Sequence, residues 1–516
     1  MGDILFLLIV VLSLFLLLGV WTVFNWLWFK PMKMMQYFKE QGINGTSYRL
    51  LYGDAKEIAT LMKREGSKPM ELSHKIAQRL FPFFHLMAKN YGKIFVSWEG
   101  PTPKVTIMDP EMIRDIFCNK VGAISKIRTH PQTRLLVTGV ALHEGKKWEK
   151  HRRIINPAFH QDKLKMLLPQ YHICCSDLIN RWEKLISKES PELDVWPGLQ
   201  NLTADVISRT SFGSTFEEGC QIFQLQTEQA ELVIQILQSI YIPGTRFLPT
   251  KRNRRMKEIY NKVREMLRTM IEKREKTMRV GENSNKDLLG LLLESNFREI
   301  KHGGNVTSSG MSIDDIIEEC KLFYFAGQET TSSLLVWTLV LLSMHPEWQE
   351  KARKEVFQVF GERKPDFEGL SKLMTVTMIL YEVLRLYPPI PHIIRSTKKE
   401  LKVGNVFLPP GVLVSLPVAL VHQDHKLWGD DVEEFNPERF SGGISKATKN
   451  KAIFFPFGGG ERICIGQSFA MIEAKIALAM ILQNFSFKLS PAYIHAPRLV
   501  VMLQPQHGAQ LILHKL

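Results

Sequence analysis

The stretch Phe457-Gly-Gly-Gly-Glu-Arg-Ile-Cys-Ile-Gly466 places Cys464 in a glycine-rich turn directly before a long apolar segment. Glycines let the backbone turn tightly and approach a flat ligand closely. The helix predicted from Gly466 to about Phe485 points its N-terminus at the sulfur, where its partial positive charge favours a thiolate. Phe457 can pack against a macrocycle, and Arg462 can neutralise a carboxylate. The stretch predicts a thiolate ligand to haem iron; the alternative is a buried structural cysteine in a glycine-rich loop.

The composition of the 516 residues is that of an ordinary globular protein, long enough to enclose a cofactor of haem size. Six cysteines are too few for a disulfide framework, which suits a reducing compartment and leaves Cys464 as the reactive thiol. The net charge of +15 would suit a nucleic-acid partner, but the sequence contains no nucleic-acid-binding motif, so we expect no such partner. Basic runs such as 251–257 suit a membrane, an acidic electron donor or simple solvation.

The N-terminal run Ile4–Phe24 is almost unbroken in its apolar character. As a helix it would span the roughly 30 Å hydrocarbon core of a bilayer. The alternative is a cleaved signal peptide, which would have a shorter apolar region preceded by positive charge. Here Asp3 precedes the run and lysines follow it, so the following residues should remain in the cytosol. We predict a retained membrane anchor (1–29), a linker and membrane-proximal segment (30–71) and a cytosolic catalytic domain (72–516).

Helical periodicity dominates the chain after about Leu72, and no internal repeat is visible. One helix is predicted from Ser312, with Asp315 completing a capping box, to His345. Another is predicted from about Val376 to Tyr387, because the two prolines that follow cannot continue it.

Strands are expected to be few and short. They are predicted at 94–98, 104–107 and 412–416, with a terminal hairpin formed by 499–503 and 509–513. The polar segment 296–309 is expected to be an exposed loop between helices. The predicted fold class is therefore mainly α with small β-sheets.

The pattern Phe-x-x-Gly-x-Arg-x-Cys-x-Gly resembles the haem-binding signature of the cytochrome P450 family, and this chain matches every fixed position. The resemblance implies the cytochrome P450 fold with a single N-terminal transmembrane helix. It also implies haem b as cofactor, with Cys464 as the metal ligand. The other cofactor-binding residues of the stretch would be Phe457, Gly460, Arg462 and Gly466.

The run Ala326-Gly-Gln-Glu-Thr-Thr331 lies near the middle of the long predicted helix and resembles the family's oxygen-binding segment. The resemblance implies that Ala326 and Gly327 leave room for dioxygen. Thr330 would donate a hydrogen bond to it, and Glu329 would connect that hydroxyl to solvent protons as a relay. Taken alone, the run could equally be a glycine-kinked helix whose threonines bond their own backbone.

Two further groups of residues match the family by their order along the chain. Glu382 and Arg385 share one helix face, and with Arg439 they would form a buried network that locks the haem-binding core; alone, they could be an ordinary surface pair. Trp148 and Arg152 resemble the family's propionate-binding helix. The set of cations that the two haem carboxylates need would be completed by Arg395 and Arg462.

At finer grain the chain resembles the plant family 72 of cytochromes P450. The resemblance rests on 150–159, 318–330 and 464–468, and it covers the chain from about residue 20. Glu461 departs from the proline usual before the signature arginine. The resemblance implies oxidation of a terpenoid, with iridoids, triterpenoids and gibberellin-type diterpenoids as the candidates. Substrate contacts are expected within 125–142, 236–247, 323–331, 390–394 and 501–504; His392 could equally be an ordinary loop histidine.

The implied activity is that of a haem-thiolate monooxygenase of the endoplasmic reticulum membrane, using O2 and an apolar substrate. Because the chain has no flavin or nicotinamide motif, the electrons of NADPH would come through NADPH–cytochrome P450 reductase. Two alternatives remain. A thiolate-haem isomerase or dehydratase would need no reductase, and a non-enzymatic haem sensor or scaffold would need no proton relay.

Overall fold

The computed structural model describes residues 2–118, 122–127, 131–188, 191–213, 216–237, 244–279, 287–302 and 310–516. The fold is mainly helical with small sheets, which confirms the predicted fold class. The helices are α1 Gly2–Phe24, α2 Lys30–Glu40, α3 Ala55–Gly66, α4 Ile76–Leu80, α5 Pro82–Tyr91, α6 Pro110–Phe117, α7 Gly145–Ile155, α8 Gln161–Lys165, α9 Leu168–Lys188, α10 Val195–Phe212, α11 Phe216–Leu237, α12 Lys251–Arg279, α13 Leu288–His302, α14 Ile313–Met344, α15 Pro346–Phe360, α16 Phe367–Lys372, α17 Met374–Leu386, α18 Val418–His422, α19 His425–Trp428, α20 Gly443–Ala447 and α21 Gln467–Asn484.

The strands are short, as expected. They are β1 Ile94–Glu99, β2 Thr102–Ile107, β3 Ile124–Lys126, β4 Glu192–Asp194, β5 Ile393–Thr397, β6 Leu401–Val403, β7 Val406–Leu408, β8 Leu413–Leu416, β9 Phe485–Leu489, β10 Pro497–Leu499, β11 Leu503–Pro505 and β12 Gln510–Lys515. The predictions of strands at 94–98, 104–107 and 412–416 are confirmed by β1, β2 and β8.

An apolar helix occupies the N-terminus. Helix α1, a π-helical turn at Asn25–Phe29 and α2 form one continuous helix over Gly2–Glu40. Its most apolar window has a mean hydropathy of 3.1 and is not buried against the rest of the chain. By length and composition it could cross a membrane, which is compatible with the predicted anchor.

The chain divides into two compact units, and the first consists of 1–67, 81–127 and 394–417. Its five-stranded sheet has the order β1-β2-β8-β5-β3, with β2 and β8 parallel. The segment predicted as a linker contributes α2 and α3 to this unit. Gly53 pairs with Glu99, and a Cβ at Gly53 would lie 2.5 Å from the Trp98 carbonyl oxygen. The chain therefore needs a glycine to pass this close to β1.

The second unit consists of 68–80, 128–393 and 418–516 and is built around α14. The capping box predicted at Ser312 and Asp315 is confirmed, since each side chain bonds the other's backbone N–H. The helix ends at Met344, and His345 separates it from Pro346. Helix α17 also ends as predicted, before the two prolines. A three-stranded sheet, β4-β12-β9, and the pair β10-β11 complete this unit.

The predicted terminal hairpin is wrong. Strand β10 pairs with β11 and places 500–502 in the turn, whereas β12 pairs with β4 and β9. Residues 499–503 have the apolar composition of a strand, but Met502 packs with Phe325 and Leu136 in a helical core cluster. Apolar character here marks packing of a turn against helices.

The polar segment 296–309 was expected to be a loop, and its first part is helical. Helix α13 continues through His302, while 303–309 lie outside the described residues. Asn296 is buried and bonds both the N–H and the C=O of Met311 through its side chain. Its polarity therefore serves an internal contact rather than solvation.

Candidate active site

The glycine-rich loop exposes a thiol at the start of α21. Gly458 and Gly460 have φ values of +75° and +65°, a conformation that favours glycine. The Cys464 N–H closes the loop by donating to the Phe457 carbonyl at 2.9 Å. Cys464 is exposed, as is the apolar side chain of Ile463 beside it. Gly466, with no Cβ, follows the thiol and precedes the N-terminus of α21.

The other five cysteines differ from Cys464 in their surroundings. Cys174, Cys175 and Cys320 are buried, and burial raises the pKa of each thiol. Cys220 is half-buried, and Cys118 is exposed at the end of α6 in the first unit. A thiolate is a metal ligand only where its charge is tolerated. Cys464 combines exposure with a helix N-terminus and neighbouring cations.

Two arginines lie beside the cysteine loop. The Arg152 Nη1 donates to the Ile463 carbonyl at 3.0 Å. Burial lowers the pKa of Arg152, and Cys464 acts in the opposite direction on it. The guanidinium of Arg462 lies 4.0 Å from the centroid of the Trp148 ring. The structure thus brings Trp148, Arg152 and Arg462 to the cysteine loop.

The second unit supplies further partners of Arg462. Its Nη1 donates to the carbonyl of His143 at 2.8 Å, and its Nη2 lies 3.1 Å from a carboxylate oxygen of Glu144. The sequence did not single out Glu144.

Arg395 lies on β5 in the first unit, where its Nη1 donates to the Ile394 carbonyl; its predicted role stays a prediction. An exposed thiol with an apolar neighbour and two cations fits a flat macrocycle that carries carboxylates.

The middle of α14 is buried except at one group of residues. Between Glu319 and Leu342 every residue is buried except Ala326, Gly327 and Thr330. Thr330 lies one turn after Ala326, so these partly exposed positions lie on one side of the helix. The residues of this stretch that are partly exposed are therefore the same three that were predicted to contact dioxygen.

Gly327 also has a packing role that the sequence did not predict. A Cβ at this position would lie 2.5 Å from the Cδ1 of Ile207 on α10. The glycine therefore lets α10 and α14 approach closely, whether or not it also leaves room for dioxygen.

The predicted acid–alcohol pair is present on adjacent residues, and each side chain bonds another partner. The Thr330 hydroxyl donates to the Ala326 carbonyl at 2.7 Å. Glu329 is buried, and its Oε2 accepts from the Gln504 amide at 3.0 Å. Burial raises the pKa of Glu329, and the bond from Gln504 only partly opposes this. Glu329 therefore keeps its proton to higher pH than an exposed glutamate.

The structure brings Glu382, Arg385 and Arg439 together. Arg385 donates two hydrogen bonds of 2.7 Å to the two oxygens of Glu382, and both residues are fully buried. The Nε of Arg439 lies 3.7 Å from the same carboxylate. Arg439 makes its closest contact with Asp431, at 2.8 Å, which the sequence did not indicate. Glu382 also accepts from the backbone N–H of Asn436, so the buried pair ties α17 to the segment before Arg439.

Several predicted substrate segments meet in one apolar cluster. Its buried members are Leu136, Ala230, Val233, Ile236, Met256, Phe325 and Met502, and Val501 packs against them. Leu136, Ile236, Phe325, Met502 and Val501 come from the predicted segments 125–142, 236–247, 323–331 and 501–504, of which 128–130 and 238–243 lie outside the described residues. Ala230, Val233 and Met256 lie outside the predicted segments. The apolar wall includes Phe325, which directly precedes the opening at Ala326.

One polar residue near α14 had no sequence signal. Glu473 on α21 is buried and accepts a hydrogen bond from Thr331. Among the residues that the structure describes, nothing bonds its Oε1. Burial raises the pKa of this carboxyl well above its usual value. It lies in an apolar helix whose pattern predicts only packing.

A family model described as "Cytochrome P450" matches residues 70–512. The chain is 56% identical to cytochrome P450 CYP72A616 of Paris polyphylla over 95% of each chain. It is 52% identical to cytochrome P450 72A15 of Arabidopsis thaliana over 96% of each. This chain is a cytochrome P450 of the plant family 72. Such proteins are monooxygenases, and their cofactor is haem with an axial cysteine thiolate, as the sequence predicted.

Solved structures agree on the fold of this cytochrome P450. A structure titled "Retinoic acid bound cyanobacterial CYP120A1" superposes with a TM-score of 0.72 at 26% identity. The match covers 84% of this chain and 94% of the other. The predicted fold of the catalytic part is therefore confirmed.

Proposed function

We propose that this cytochrome P450 inserts one atom of dioxygen into a C–H bond of an apolar plant terpenoid of the iridoid, triterpenoid or gibberellin type. NADPH–cytochrome P450 reductase would supply the electrons. Cys464 would hold the iron, and Arg152, Arg395, Arg462 and Trp148 would bind the haem carboxylates. Phe457, Gly460 and Gly466 would shape the loop around the macrocycle. Helix α1 would anchor the protein in the endoplasmic reticulum membrane with its catalytic part in the cytosol.

The observation that carries the proposal is the single opening in the buried face of α14. A helix buried on all sides for some twenty residues would close any site beside it. Here it opens only at Ala326, Gly327 and Thr330, next to the apolar cluster that contains Phe325 and Met502. An apolar wall with a few polar groups suits a large skeleton that carries few oxygens.

Haem supplies the activation of dioxygen and the transfer of one oxygen atom. Glu329, whose pKa burial raises, would be the proton donor, and Gln504 would orient its carboxyl through the bond to Oε2. Thr330 positions the proton, because a hydroxyl that donates to the Ala326 carbonyl can still accept through its lone pairs. The Glu382–Arg385–Arg439 network holds the surrounding core and takes no part in proton transfer.

The test is turnover of the full-length protein reconstituted with plant reductase in lipid vesicles. A panel of iridoids, triterpenoids and gibberellin-type diterpenoids is supplied with NADPH under ¹⁸O2. We expect one ¹⁸O atom in the product of at least one substrate, and no product without reductase. Fatty-acid hydroperoxides without NADPH are the matched control. Their rapid conversion, with no NADPH-dependent product from the panel, would assign the protein to the isomerase class.

A further inference from the structure

We propose that His143, His151 and Glu319 form a binding site for a divalent transition-metal ion of the zinc type, separate from the haem site. The site joins the loop before α7, α7 itself and the N-terminal half of α14. None of these three side chains has a part in the proposed monooxygenation.

The three side chains converge on a small volume. His151 and Glu319 are fully buried, with Nδ1 of His151 2.6 Å from Oε1 of Glu319. The rings of His143 and His151 stand edge to face, with their centroids 4.6 Å apart. One ligand atom from each of the three residues lies within 4.8 Å of the others. Zinc binds nitrogen and oxygen at about 2.0–2.2 Å, so a modest turn of the half-buried His143 ring would bring the set into coordination range.

Each histidine has one buried nitrogen atom that takes part in no hydrogen bond with the described residues. The Nε2 atoms of His143 and His151 are buried, and in the described part of the chain neither has a hydrogen-bond partner. An unpaired buried polar group is destabilising by about 1–3 kcal/mol. A metal ion bound at these two atoms would remove that cost, since a neutral imidazole nitrogen is a metal ligand.

The carboxylate of the site is held in place. Oε2 of Glu319 accepts from the backbone N–H of Val140 at 2.9 Å. Gly139 has φ +61°, and a Cβ there would lie 2.6 Å from the same oxygen. The glycine thus makes room for the carboxylate, and a fixed ligand loses little freedom when it binds a metal.

A fourth ligand and an entry route are adjacent. Oδ1 of Asp315 lies 3.8 Å from Nε2 of His151 and is paired with Lys147 at 2.6 Å. Asp315 and Lys147 also line an open cavity of about 580 Å³. Two imidazoles with carboxylates form a zinc-type ligand set, whereas calcium and magnesium prefer all-oxygen sites. The lysine beside Asp315 opposes a cation, so we expect weaker binding than at a structural zinc finger.

The test measures zinc per haem iron in the full-length holoprotein, produced without a histidine tag. The protein is treated with a chelator, equilibrated with zinc chloride, desalted and analysed for zinc and iron by mass spectrometry. We expect about one zinc per iron, as in a single site. His143→Ala should lose this zinc, because it removes one ligand and leaves the His151–Glu319 pair intact. The exposed His160 gives the matched control, and His160→Ala should keep the zinc.

A second readout separates metal binding from misfolding. Zinc should raise the unfolding midpoint of the wild type and of His160→Ala, since a ligand that binds only the folded state stabilises it. It should not raise the midpoint of His143→Ala, whose iron content should equal that of the wild type. Absence of stoichiometric zinc in the wild type would overturn the proposal. Equal zinc in His143→Ala at unchanged iron content would also overturn it, by placing the metal elsewhere.

Discussion

Glu382 and Glu473 are both buried in the second unit, on α17 and α21, and their surroundings are opposite in character. Glu382 accepts two hydrogen bonds from Arg385 and one from the backbone N–H of Asn436. Glu473 accepts a hydrogen bond from Thr331, nothing in the described part of the chain bonds its Oε1, and burial raises its pKa well above the usual value. One carboxylate is paired with a guanidinium, and burial favours the protonated form of the other.

Glu329 belongs with Glu473 in this comparison. It is buried, it accepts a hydrogen bond from the neutral amide of Gln504, and its pKa is raised. A buried carboxylate among guanidinium groups has a fixed charge and can only hold structure. A buried carboxylate among neutral groups retains a proton that it can transfer. We therefore expect Glu329 to exchange protons and Glu382 to hold structure.

The largest effect is expected from Glu382→Ala. Removing one partner strands the buried charge of Arg385, at about 3–5 kcal/mol, which is comparable to the whole stability of many domains. We expect little protein to retain haem, measured as the haem absorbance per milligram of purified protein. Glu438→Ala, an exposed glutamate near Arg439 in sequence, is the control and should retain haem. Full haem content in Glu382→Ala would show that the network is dispensable.

The next largest effect is expected from Thr330→Ala, which should lower the ratio of product to NADPH consumed and leave haem and substrate binding intact. Without the hydroxyl, protons are misplaced, so NADPH consumption continues while more oxygen leaves as hydrogen peroxide. The measurement is the ratio of product to NADPH consumed, with peroxide assayed in parallel.

Thr338→Ala is a matched control for Thr330→Ala. Thr338 lies two turns further along α14 and donates to the Leu334 carbonyl at 2.7 Å, the same bond that Thr330 makes to Ala326. Its loss should leave the product ratio unchanged. A ratio that falls equally in both variants would attribute the effect to the helix backbone and not to the relay.

Glu329→Gln should slow turnover and change its pH dependence. Because the pKa of Glu329 is raised, its proton is present below that raised pKa and is lost as the pH increases through it. Wild-type turnover should therefore fall on the alkaline side, and the variant should be slow without that decline. Glu473→Gln should keep the wild-type profile. An alkaline decline that persists in Glu329→Gln would assign it to another group.

The smallest effect is expected from Glu473→Gln. A neutral acid and an amide are similar in shape, so the free energy of unfolding should change by less than about 1 kcal/mol at acidic pH, where the carboxyl is protonated in the folded and the unfolded chain. Because the folded pKa is raised, the unfolded chain releases this proton first, and the wild type loses stability as the pH rises. The variant should lack that loss. Destabilisation as large as in Glu382→Ala would mean that Glu473 is charged and paired.

The parts that could be predicted from the sequence have local signals. In the cysteine loop, the capping box of α14 and the Glu382–Arg385 pair, the residues that act together lie close to one another in the sequence. Asp431, Gln504 and Glu473 gave no such signal, since Gln504 meets Glu329 from 175 residues away. The apolar residues 499–503 were misassigned because the same composition suits a strand and a turn packed on helices.

The most direct test of the account is the identity of the iron ligand. The reduced protein under carbon monoxide should show the red-shifted Soret band of thiolate-ligated haem, and Cys464→Ser should lose it. Cys118→Ser, which removes an exposed thiol in the first unit, should keep the band. A red-shifted band retained by Cys464→Ser would contradict the account, because the ligand would then lie outside the loop on which the whole interpretation is built.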